Sequence, residues 1–381
     1  MKNVRTSFTN KHRDSWVEIN LGYLEENINN IKKQIKDVGN KSLMAVIKAD
    51  GYGHGSLMCA PTLLACGINS FGVASIDEGI ELRENKITCP VLVLGAVPVW
   101  AFEAALDYDI EVSIFNEEHL EAIKMLHERT NKKLKVQVKV DTGMNRIGIN
   151  YKKAPDFINK LKNSDFIDLK GVFTHFADAE NPEILKMQLE RFNYVIDNID
   201  SKNLKIHCQN SLGAFLTDDK RYNLIRLGII IYGLTPLTYG IKPVCSLPEL
   251  KQLISVKGRI TNIHTIQKNE GVSYGYKFIA DKETKIATIP IGYADGVSRN
   301  LSNKIQGSVN GCLINQIGRI TMDQMMFDIT GLDVQEGDII TILGEDGKNF
   351  LSVDKWAEIL DTINYELTCR LKVRLPRIYV R

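Results

Sequence analysis

Short apolar runs alternate with charged, amphipathic segments from residue 43 to residue 231. The amphipathic segments, such as residues 116–129 and 183–199, carry apolar side chains at every third or fourth position, which predicts helices. The runs between them predict buried strands at residues 43–49, 71–74, 91–95, 110–115, 134–140, 169–174, 204–208 and 224–231. This alternation indicates a (β/α)8 barrel, with a doubly wound open sheet as the alternative. No GxGxxG sequence follows any of these strands, so a dinucleotide-binding domain is not expected.

The two ends of the chain follow a different pattern. Residues 15–20 alternate like a strand, and the helical spacing over residues 21–35 predicts a helix with Asn20 as its N-cap. Beyond about residue 240, Gly, Asn and Asp turns separate short β-rich runs at residues 254–266, 288–291, 307–320, 325–329 and 339–343. The sequence therefore predicts a barrel over residues 1–242 and an all-β domain over residues 243–381, with Pro243 and Pro248 at the crossing. Strand 15–20 is expected to pack with the β domain.

Polar residues collect where the predicted barrel strands end, which is where barrel enzymes place their catalytic groups. These residues are Lys48, the segment from Lys139 to Arg146, His175, Asn210, Ser211 and Arg226. Taken singly, each has an ordinary structural explanation, such as a lysine that reaches solvent or a helix cap. Together they indicate one catalytic rim. A lysine that is desolvated at the end of a buried strand has a lowered pKa and can act as a nucleophile that forms Schiff bases.

Composition narrows the possible functions. A net charge of +2 offers no basic face for nucleic acid, and no apolar run approaches the roughly 18 residues of a membrane span. The seven cysteines include no CxxC pair, which favours reduced thiols in the cytoplasm over disulfides. The polar residues 1–14 contain no secretory signal. The seven histidines have no ligand spacing, so no metal site is expected.

Several motifs together resemble the alanine racemase family of fold-type III pyridoxal phosphate enzymes, over nearly the whole chain. In the barrel they are MAVIKADGYGHG (44–55), DTGMNRIG (141–148), FTHFA (173–177), NS (210–211) and RLGIIIYGL (226–234). In the second domain they are SYG (273–275), GYADG (292–296), GRITMDQ (318–324) and INYE (363–366).

The resemblance implies a role for each matched residue. Lys48 would bind pyridoxal 5'-phosphate through its amine and act as acid and base on one face of the substrate, and Tyr274 of the partner subunit would act on the other. The residues implied around the cofactor are Tyr52, His175, Asn210, Ser211, Arg226, Gly228, Ile229 and Tyr365. The residues implied around the substrate are Arg146, Tyr293, Met322 and Asp323. Many members of the family carry a carbamylated lysine at the position of Lys139.

The implied activity is the interconversion of L-alanine and D-alanine by a cytoplasmic homodimer that supplies D-alanine for peptidoglycan. Thr321 stands where the family usually has cysteine and Asn145 where glycine is common, so a racemase for serine or for several amino acids stays an alternative. Arg226 argues against a decarboxylase, because arginine is a donor only and would leave the cofactor's ring nitrogen unprotonated. A non-catalytic pyridoxal phosphate carrier is disfavoured, because such proteins are typically a lone barrel.

Overall fold

The computed structural model describes residues 13–35, 38–235, 247–371 and 374–381 of the 381-residue chain. The predicted boundary between residues 242 and 243, together with Pro243, lies outside the described residues. Within the described ranges, none of the helices has the length and apolar character needed to cross a bilayer. The described residues form a parallel barrel and a separate, mainly β domain, as the sequence pattern predicts.

Eight parallel strands form the barrel. In chain order they are Ser42–Val46, Ser70–Val73, Val91–Val93, Glu111–Ile114, Leu134–Asp141, Ile167–Phe173, Lys205–His207 and Leu224–Leu227. The first seven pair in chain order, and the eighth pairs with the first. Backbone hydrogen bonds of 3.1 Å from Asn223 N to Ile206 O and from Arg226 N to Gln209 O join the seventh and eighth strands. The sheet therefore curls into a barrel, and the open-sheet alternative is wrong.

Helices cover the outside of the barrel. They are Leu21–Gln34, Ser56–Ala65, Ile76–Glu84, Phe102–Asp107, Glu117–Thr130, Ala154–Lys162, Pro182–Asp197 and Gly213–Leu216. The predicted cap is present, since the Asn20 side chain accepts a 3.0 Å hydrogen bond from Tyr23 N. Because helices bury one face of each strand and the barrel interior buries the other, the strands are unbroken apolar runs in the sequence.

Two of the predicted barrel strands end three or four residues before their predicted runs do. The first stops at Val46 and the last at Leu227. After Val46 comes the turn Lys48–Tyr52, whose backbone is largely left-handed, and after Leu227 comes the 3-10 turn Ile229–Tyr232. The apolar character continues past the strands because these turns are themselves packed inside the protein; all four residues of Ile229–Tyr232 are fully buried.

The second domain is built from short antiparallel strands. They are Ile254–Arg259, Asn262–Ile266, Gly271–Val272, Phe278–Ile279, Thr284–Ile289, Gln306–Val309, Cys312–Ile317, Met325–Asp328, Ile339–Asp346 and Asn349–Leu351, with Arg377–Val380 at the end of the chain. Helices Val353–Leu360 and Asn364–Arg370 lie between the last two strands. The run predicted at 307–320 is a hairpin, because Asn310 and Gly311 (φ 51° and 76°) form the two-residue turn that tight hairpins favour.

The first strand of the chain lies in this second sheet. Ser15–Asn20 pairs antiparallel with Ile254–Arg259 on one side and parallel with Arg377–Val380 on the other. The helix that follows it contacts the barrel side, where Asn27 Nδ2 donates to Ile231 O at 3.3 Å. One continuous segment thus joins the β sheet to the barrel.

Candidate active site

A pocket opens at the C-terminal end of the barrel strands. Its volume is about 210 Å³, several times the roughly 30 Å³ that a water molecule takes up in the liquid, so a small organic molecule fits. Its lining residues are Val46, Lys48, Tyr52, Leu94, Lys139, Arg146, Phe173, His175, Asn210, Ser211, Leu212, Arg226, Gly228, Ile229 and Tyr365. Every site residue predicted in the barrel is among them, and Tyr365 joins them from helix Asn364–Arg370.

The turn that begins at Lys48 has a strained backbone. Ala49, Asp50 and Tyr52 have φ values of 53°, 54° and 53°, which lie in the left-handed region. That conformation costs a residue with a side chain roughly 1–2 kcal/mol. Glu78 compensates at the start of the turn, since its carboxylate accepts from Ala49 N and from Ala74 N, both at 2.7 Å. Such strain persists only where the surroundings hold it, and it is frequent at active sites.

A buried histidine holds the other end of the same turn. His54 Nδ1 lies 2.9 Å from Gly51 O, and burial lowers the pKa of His54 to about 4, so the neutral ring donates this bond. The ring stacks on Tyr232 with centroids 4.4 Å apart, and Tyr232 in turn lies 5.5 Å from the ring of Tyr52. This packing places the Tyr52 hydroxyl in the pocket.

Replacing Gly53 by alanine is expected to lower the free energy of unfolding by about 2–4 kcal/mol, from left-handed strain plus overpacking. Gly53 has φ of 85°, and a Cβ there would lie 2.2 Å from Thr368 O. The measurement is urea unfolding at fixed cofactor loading. Gly39→Ala is the matched control, because nothing lies within 4 Å of its Cβ position. Equal free energies of unfolding for Gly53→Ala and Gly39→Ala would contradict the requirement for glycine at position 53.

The two lysines of the pocket are held in positively charged, desolvating surroundings. Burial, and next the cation of Arg146, lower the pKa of Lys48, while Glu78 opposes the shift. Burial, Arg226 and Arg146 hold the pKa of Lys139 well below the usual lysine value. Lys139 Nζ lies 4.9 Å from the centre of the Phe173 ring and has no hydrogen bond or ion pair to any residue that the structure describes. Both amines therefore have an increased neutral, nucleophilic fraction.

Arg226 is buried at the floor of the pocket and fixed by several acceptors. Its Nη2 donates to Thr174 O at 2.8 Å and to Cys208 O at 3.1 Å, and its Nη1 donates to His207 Nδ1 at 2.7 Å. Burial lowers its pKa to about 10, which still leaves it a cation at neutral pH. Among the described residues, its Nε–H has no hydrogen-bond partner. Arg226 thus presents a fixed cation with a donor left for a ligand.

His175 is a second acceptor beside Arg226. Its Nδ1 lies 3.3 Å from Arg226 Nη2, and a guanidinium can only donate, so the proton of the neutral ring is on Nε2. Burial and the cations of Arg226, Lys139, Arg146 and Lys48 hold the pKa of His175 well below its ordinary value. The neutral ring can therefore donate from Nε2 at the pocket.

Hydroxyls and backbone amides line the side of the pocket near the last two strands. Ser211 Oγ accepts from Gly228 N at 2.9 Å, and a Cβ at position 228 would lie 3.0 Å from the Tyr52 hydroxyl. Burial raises the pKa of Tyr52 and of Tyr365, so both hydroxyls remain protonated donors. Asn210 accepts from Gly213 N at 2.9 Å, which makes it the cap of a short helix as well as a lining residue. These donors suit an anion such as a phosphate.

Four other residues predicted from the second domain lie outside this pocket. Tyr274, Tyr293 and Met322 are 71%, 41% and 52% exposed, respectively. Asp323 pairs with Arg374 at 2.7 Å. None of the four lines the pocket of the same chain, so a single chain does not bring the two predicted groups together.

A buried carboxylate shapes the turn that carries Tyr293. Asp295 is 1% exposed and accepts from Gly292 N at 2.8 Å, and it also pairs with Arg13. Arg13 therefore ties the start of the described chain to the Tyr293 turn.

The two departures from the family pattern have local structural explanations. The Thr321 hydroxyl donates to Gln324 O at 2.9 Å and accepts from Gln324 N at 3.1 Å, so it is used within the turn that carries Met322. Asn145 has φ of 53°, a conformation that glycine and asparagine both adopt readily. Neither residue lines the pocket of its own chain.

The sequence did not predict three residues that hydrogen-bond to the segments or side chains lining the pocket. Glu78 and His207 support Lys48 and Arg226 from other elements. His54 supports Tyr52 from within the motif that carries Lys48, but its supporting role was not predicted.

Both domains match known families. Residues 19–236 match the alanine racemase N-terminal domain, and residues 253–379 match the alanine racemase C-terminal domain. The alanine racemase of Nostoc sp. is 40% identical over 381 residues, which cover 96% of each chain. The alanine racemase of Methanococcus maripaludis is 36% identical over 376 residues, which cover 96% of this chain and 98% of the relative.

Solved structures show the same two-domain architecture. Alanine racemase from E. faecalis has a TM-score of 0.90 at 32% identity, covering 97% of this chain and 98% of the other. Histidine racemase from Leuconostoc mesenteroides has a TM-score of 0.88 at 27% identity, covering 98% and 100%. The similarity thus extends over both domains and over relatives with different amino-acid substrates.

Proposed function

This chain belongs to the alanine racemase family, and on that premise we propose that it interconverts L-alanine and D-alanine with pyridoxal 5'-phosphate bound at Lys48. The observation that carries the proposal is the pocket itself. It joins a lysine of lowered pKa, a buried arginine and a set of hydroxyl and amide donors at one end of the barrel.

The residues present fit this cofactor. Lys48 supplies the amine for its aldehyde, and Arg226 supplies a donor for its ring nitrogen. The phosphate fits the donors around Gly228, which are the hydroxyls of Tyr52, Ser211 and Tyr365 and the backbone N–H of Ile229. When bound, the cofactor supplies an electron sink that acidifies the α-proton of the amino acid.

Racemisation requires an acid and base on each face of the α-carbon. Lys48 serves one face, because its lowered pKa increases the fraction of neutral amine that can take a proton. Tyr274 serves the other. The fixed cation of Arg226 keeps the ring nitrogen unprotonated, since it donates a hydrogen bond and no proton. A weaker electron sink disfavours transamination and decarboxylation, which need a long-lived carbanion.

The second acid and base comes from the partner subunit of a homodimer. Tyr274, Tyr293 and Met322 are exposed large side chains on the β domain, away from the pocket of their own chain. A head-to-tail dimer would place them over the other subunit's barrel and complete two equal sites.

Lys139 is proposed to carry a carbamate that orients Arg146 toward the substrate carboxylate. The neutral Nζ attacks the carbon of carbon dioxide, an N–C bond forms as one C=O π pair moves onto oxygen, and the amine releases one proton to solvent, which leaves a carbamate anion. Its lowered pKa makes the neutral amine available, and the neighbouring cations Arg226 and Arg146 stabilise the product. Since neutral amine accumulates above that pKa, occupancy should rise as pH rises through it.

Removing Lys139 is expected to lower kcat/KM roughly tenfold to a hundredfold, the loss typical of a misplaced substrate clamp. The test compares Lys139→Ala with Lys160→Ala, an exposed lysine on the barrel surface. Native mass spectrometry with and without bicarbonate reports the modification. Wild-type activity that is independent of bicarbonate, without any added mass at Lys139, would refute the carbamate.

Alanine is proposed as the preferred substrate, with serine as the alternative. Tyr365 is half-buried at the pocket beside Tyr52, with ring centroids 5.9 Å apart, which favours a small side chain. A hydroxymethyl in place of a methyl is a small difference for such a pocket, so discrimination between the two will be modest. We further propose that the enzyme acts in the cytoplasm and supplies D-alanine for peptidoglycan.

In heavy water, L-alanine and D-alanine should each exchange their α-proton and convert to the other enantiomer. The purified holoenzyme is tested with alanine, serine, histidine and lysine, followed by proton NMR and chiral chromatography. Exchange of the α-proton without conversion to the other enantiomer would show that the enzyme transfers a proton on one face of the substrate only. Absence of exchange with all four amino acids would reject the racemase assignment.

A further inference from the structure

A chain of buried polar side chains runs from Arg226 through the inside of the barrel. Arg226 Nη1 donates to His207 Nδ1 at 2.7 Å. His207 Nε2 lies 2.7 Å from Gln137 Oε1, and Gln137 Nε2 donates to Glu111 Oε2. Lys205 Nζ lies 3.8 Å from the other oxygen of Glu111. Glu111 and Lys205 are the first residues of their strands, so the chain leads from the pocket floor toward the opposite end of the barrel.

These side chains occupy positions that a barrel normally fills with branched apolar residues. His207 and Gln137 are fully buried, and Glu111 is 4% exposed. Space for them is provided by Gly171, where a Cβ would lie 2.8 Å from Gln137 Oε1. Burying polar and charged groups costs stability even when they are paired. A stable barrel does not need such a strip, and its connection to Arg226 points to a role at the site.

The direction of every hydrogen bond in this chain is determined by its two ends. Arg226 can only donate, so His207 Nδ1 must accept, and the ring proton lies on Nε2. That proton is donated to Gln137 Oε1, which turns the amide N–H toward Glu111. A carboxylate at Glu111 can only accept. If the Gln137 amide were flipped, its oxygen would face the Glu111 carboxylate, and its N–H would face the N–H of His207. Both contacts would be repulsive.

The surroundings of His207 agree with a neutral, fixed ring. Burial and the cations of Arg226, Lys205 and Lys139 hold the pKa of His207 well below its ordinary value. The ring stacks on Phe173 with an angle of 2° and a centroid distance of 4.9 Å, which sets its plane. Arg226 needs an acceptor at His207 Nδ1, so the ring proton lies on Nε2. The carboxylate of Glu111 holds the Gln137 amide so that its oxygen accepts from that Nε2–H.

We propose that Glu111 is a positioning residue for the reaction, which through Gln137 and His207 fixes Arg226 so that its Nε–H is kept for the cofactor's ring nitrogen. The contact of Arg226 with the cofactor rests on the proposed function. The tautomer of His207 does not, because it is a property of the protein before any ligand binds.

The first test is the protonation of His207 in the wild-type protein. Nitrogen-15 NMR of histidine-labelled protein distinguishes the two ring nitrogens, and a His207→Gln variant identifies the signals among the seven histidines. We expect a neutral ring with its proton on Nε2, both without and with pyridoxal 5'-phosphate. A proton on Nδ1, or a doubly protonated ring, would overturn the inference even if the racemase activity is present.

The second test removes the carboxylate of Glu111. Glu111→Leu should allow Gln137 to flip, so that the His207 Nε2–H loses its acceptor, the nitrogen-15 signals of His207 shift and the absorbance of the bound cofactor changes. We expect kcat to fall on the order of tenfold, as when a supporting partner of a functional group is lost. KM for alanine should stay within about twofold, because the substrate carboxylate site is untouched.

Glu111→Gln keeps an acceptor and should lie between the wild type and Glu111→Leu in each readout. Glu103→Gln is the matched control, since it changes an exposed carboxylate that pairs with Arg129 on the surface. Wild-type nitrogen-15 shifts of His207, together with a wild-type cofactor spectrum and kcat, in a folded Glu111→Leu protein would overturn the role of Glu111. If Glu111→Leu does not fold, the Gln variant and the wild-type NMR decide the question.

Discussion

Replacing Tyr274 by phenylalanine is expected to lower kcat for alanine racemisation by about 10²–10⁴-fold, the contribution of one positioned acid or base. The substitution removes a single hydroxyl from a side chain that is 71% exposed in its own subunit. It leaves the pocket around Lys48 and Arg226 unchanged, so the cofactor should still bind with an unaltered absorbance. The measurement is kcat in both directions together with that spectrum.

Tyr276→Phe provides the control, because Tyr276 lies in the same turn and is 67% exposed. The Tyr274→Phe enzyme should still exchange the α-proton of one enantiomer, since Lys48 serves that face alone. Turnover near the wild-type rate would exclude Tyr274 as the second acid and base. Loss of cofactor binding would show instead that the hydroxyl has a structural role.

Mixing Lys48→Ala and Tyr274→Phe subunits is expected to restore about a quarter of the wild-type activity from two nearly inactive proteins. If each site combines Lys48 of one subunit with Tyr274 of the other, a mixed dimer contains one intact site and one doubly altered site. Random exchange makes about half of the dimers mixed, and each has one of its two sites working.

Distinct affinity tags on the two variants allow the mixed dimer to be isolated and its fraction measured. Each variant mixed with a tagged copy of itself gives the baseline. Mixed dimers that form without gaining activity would place Lys48 and Tyr274 of the same subunit in one site. A protein that is monomeric at assay concentration would contradict the shared site as well.

The barrel could be predicted because its strands are buried on both faces and therefore form unbroken apolar runs. The ends of these runs were less reliable. The run that starts at Leu43 continues through Ile47, although the strand ends at Val46, because the following turn is also packed inside the protein. The apolar pattern indicates which residues are buried, but it does not indicate which residues pair by hydrogen bonds in a strand.

The rim residues of the site could be predicted because barrel geometry brings all strand ends to one place. The supporting residues could not. Glu78 accepts from the backbone of the Lys48–Tyr52 turn, and Gln137 bonds side chains on two other strands. Nothing in the sequence around Glu78 or Gln137 specifies those partners. Tyr274 is different again, because the structure of one subunit leaves it exposed and only its family resemblance assigns it a role.

The position of the first strand has a consequence for biosynthesis. Ser15–Asn20 precedes the whole barrel in the sequence, yet one of its two neighbours, Arg377–Val380, follows the other strands of the β domain. The barrel strands can pair as they leave the ribosome, whereas the first strand must wait for the last one before both of its edges are covered. A chain that stops before Arg377 would keep an open strand edge and would be prone to association with other chains. Both edges of Ser15–Asn20 are therefore covered only after residues 377–380 have been synthesised.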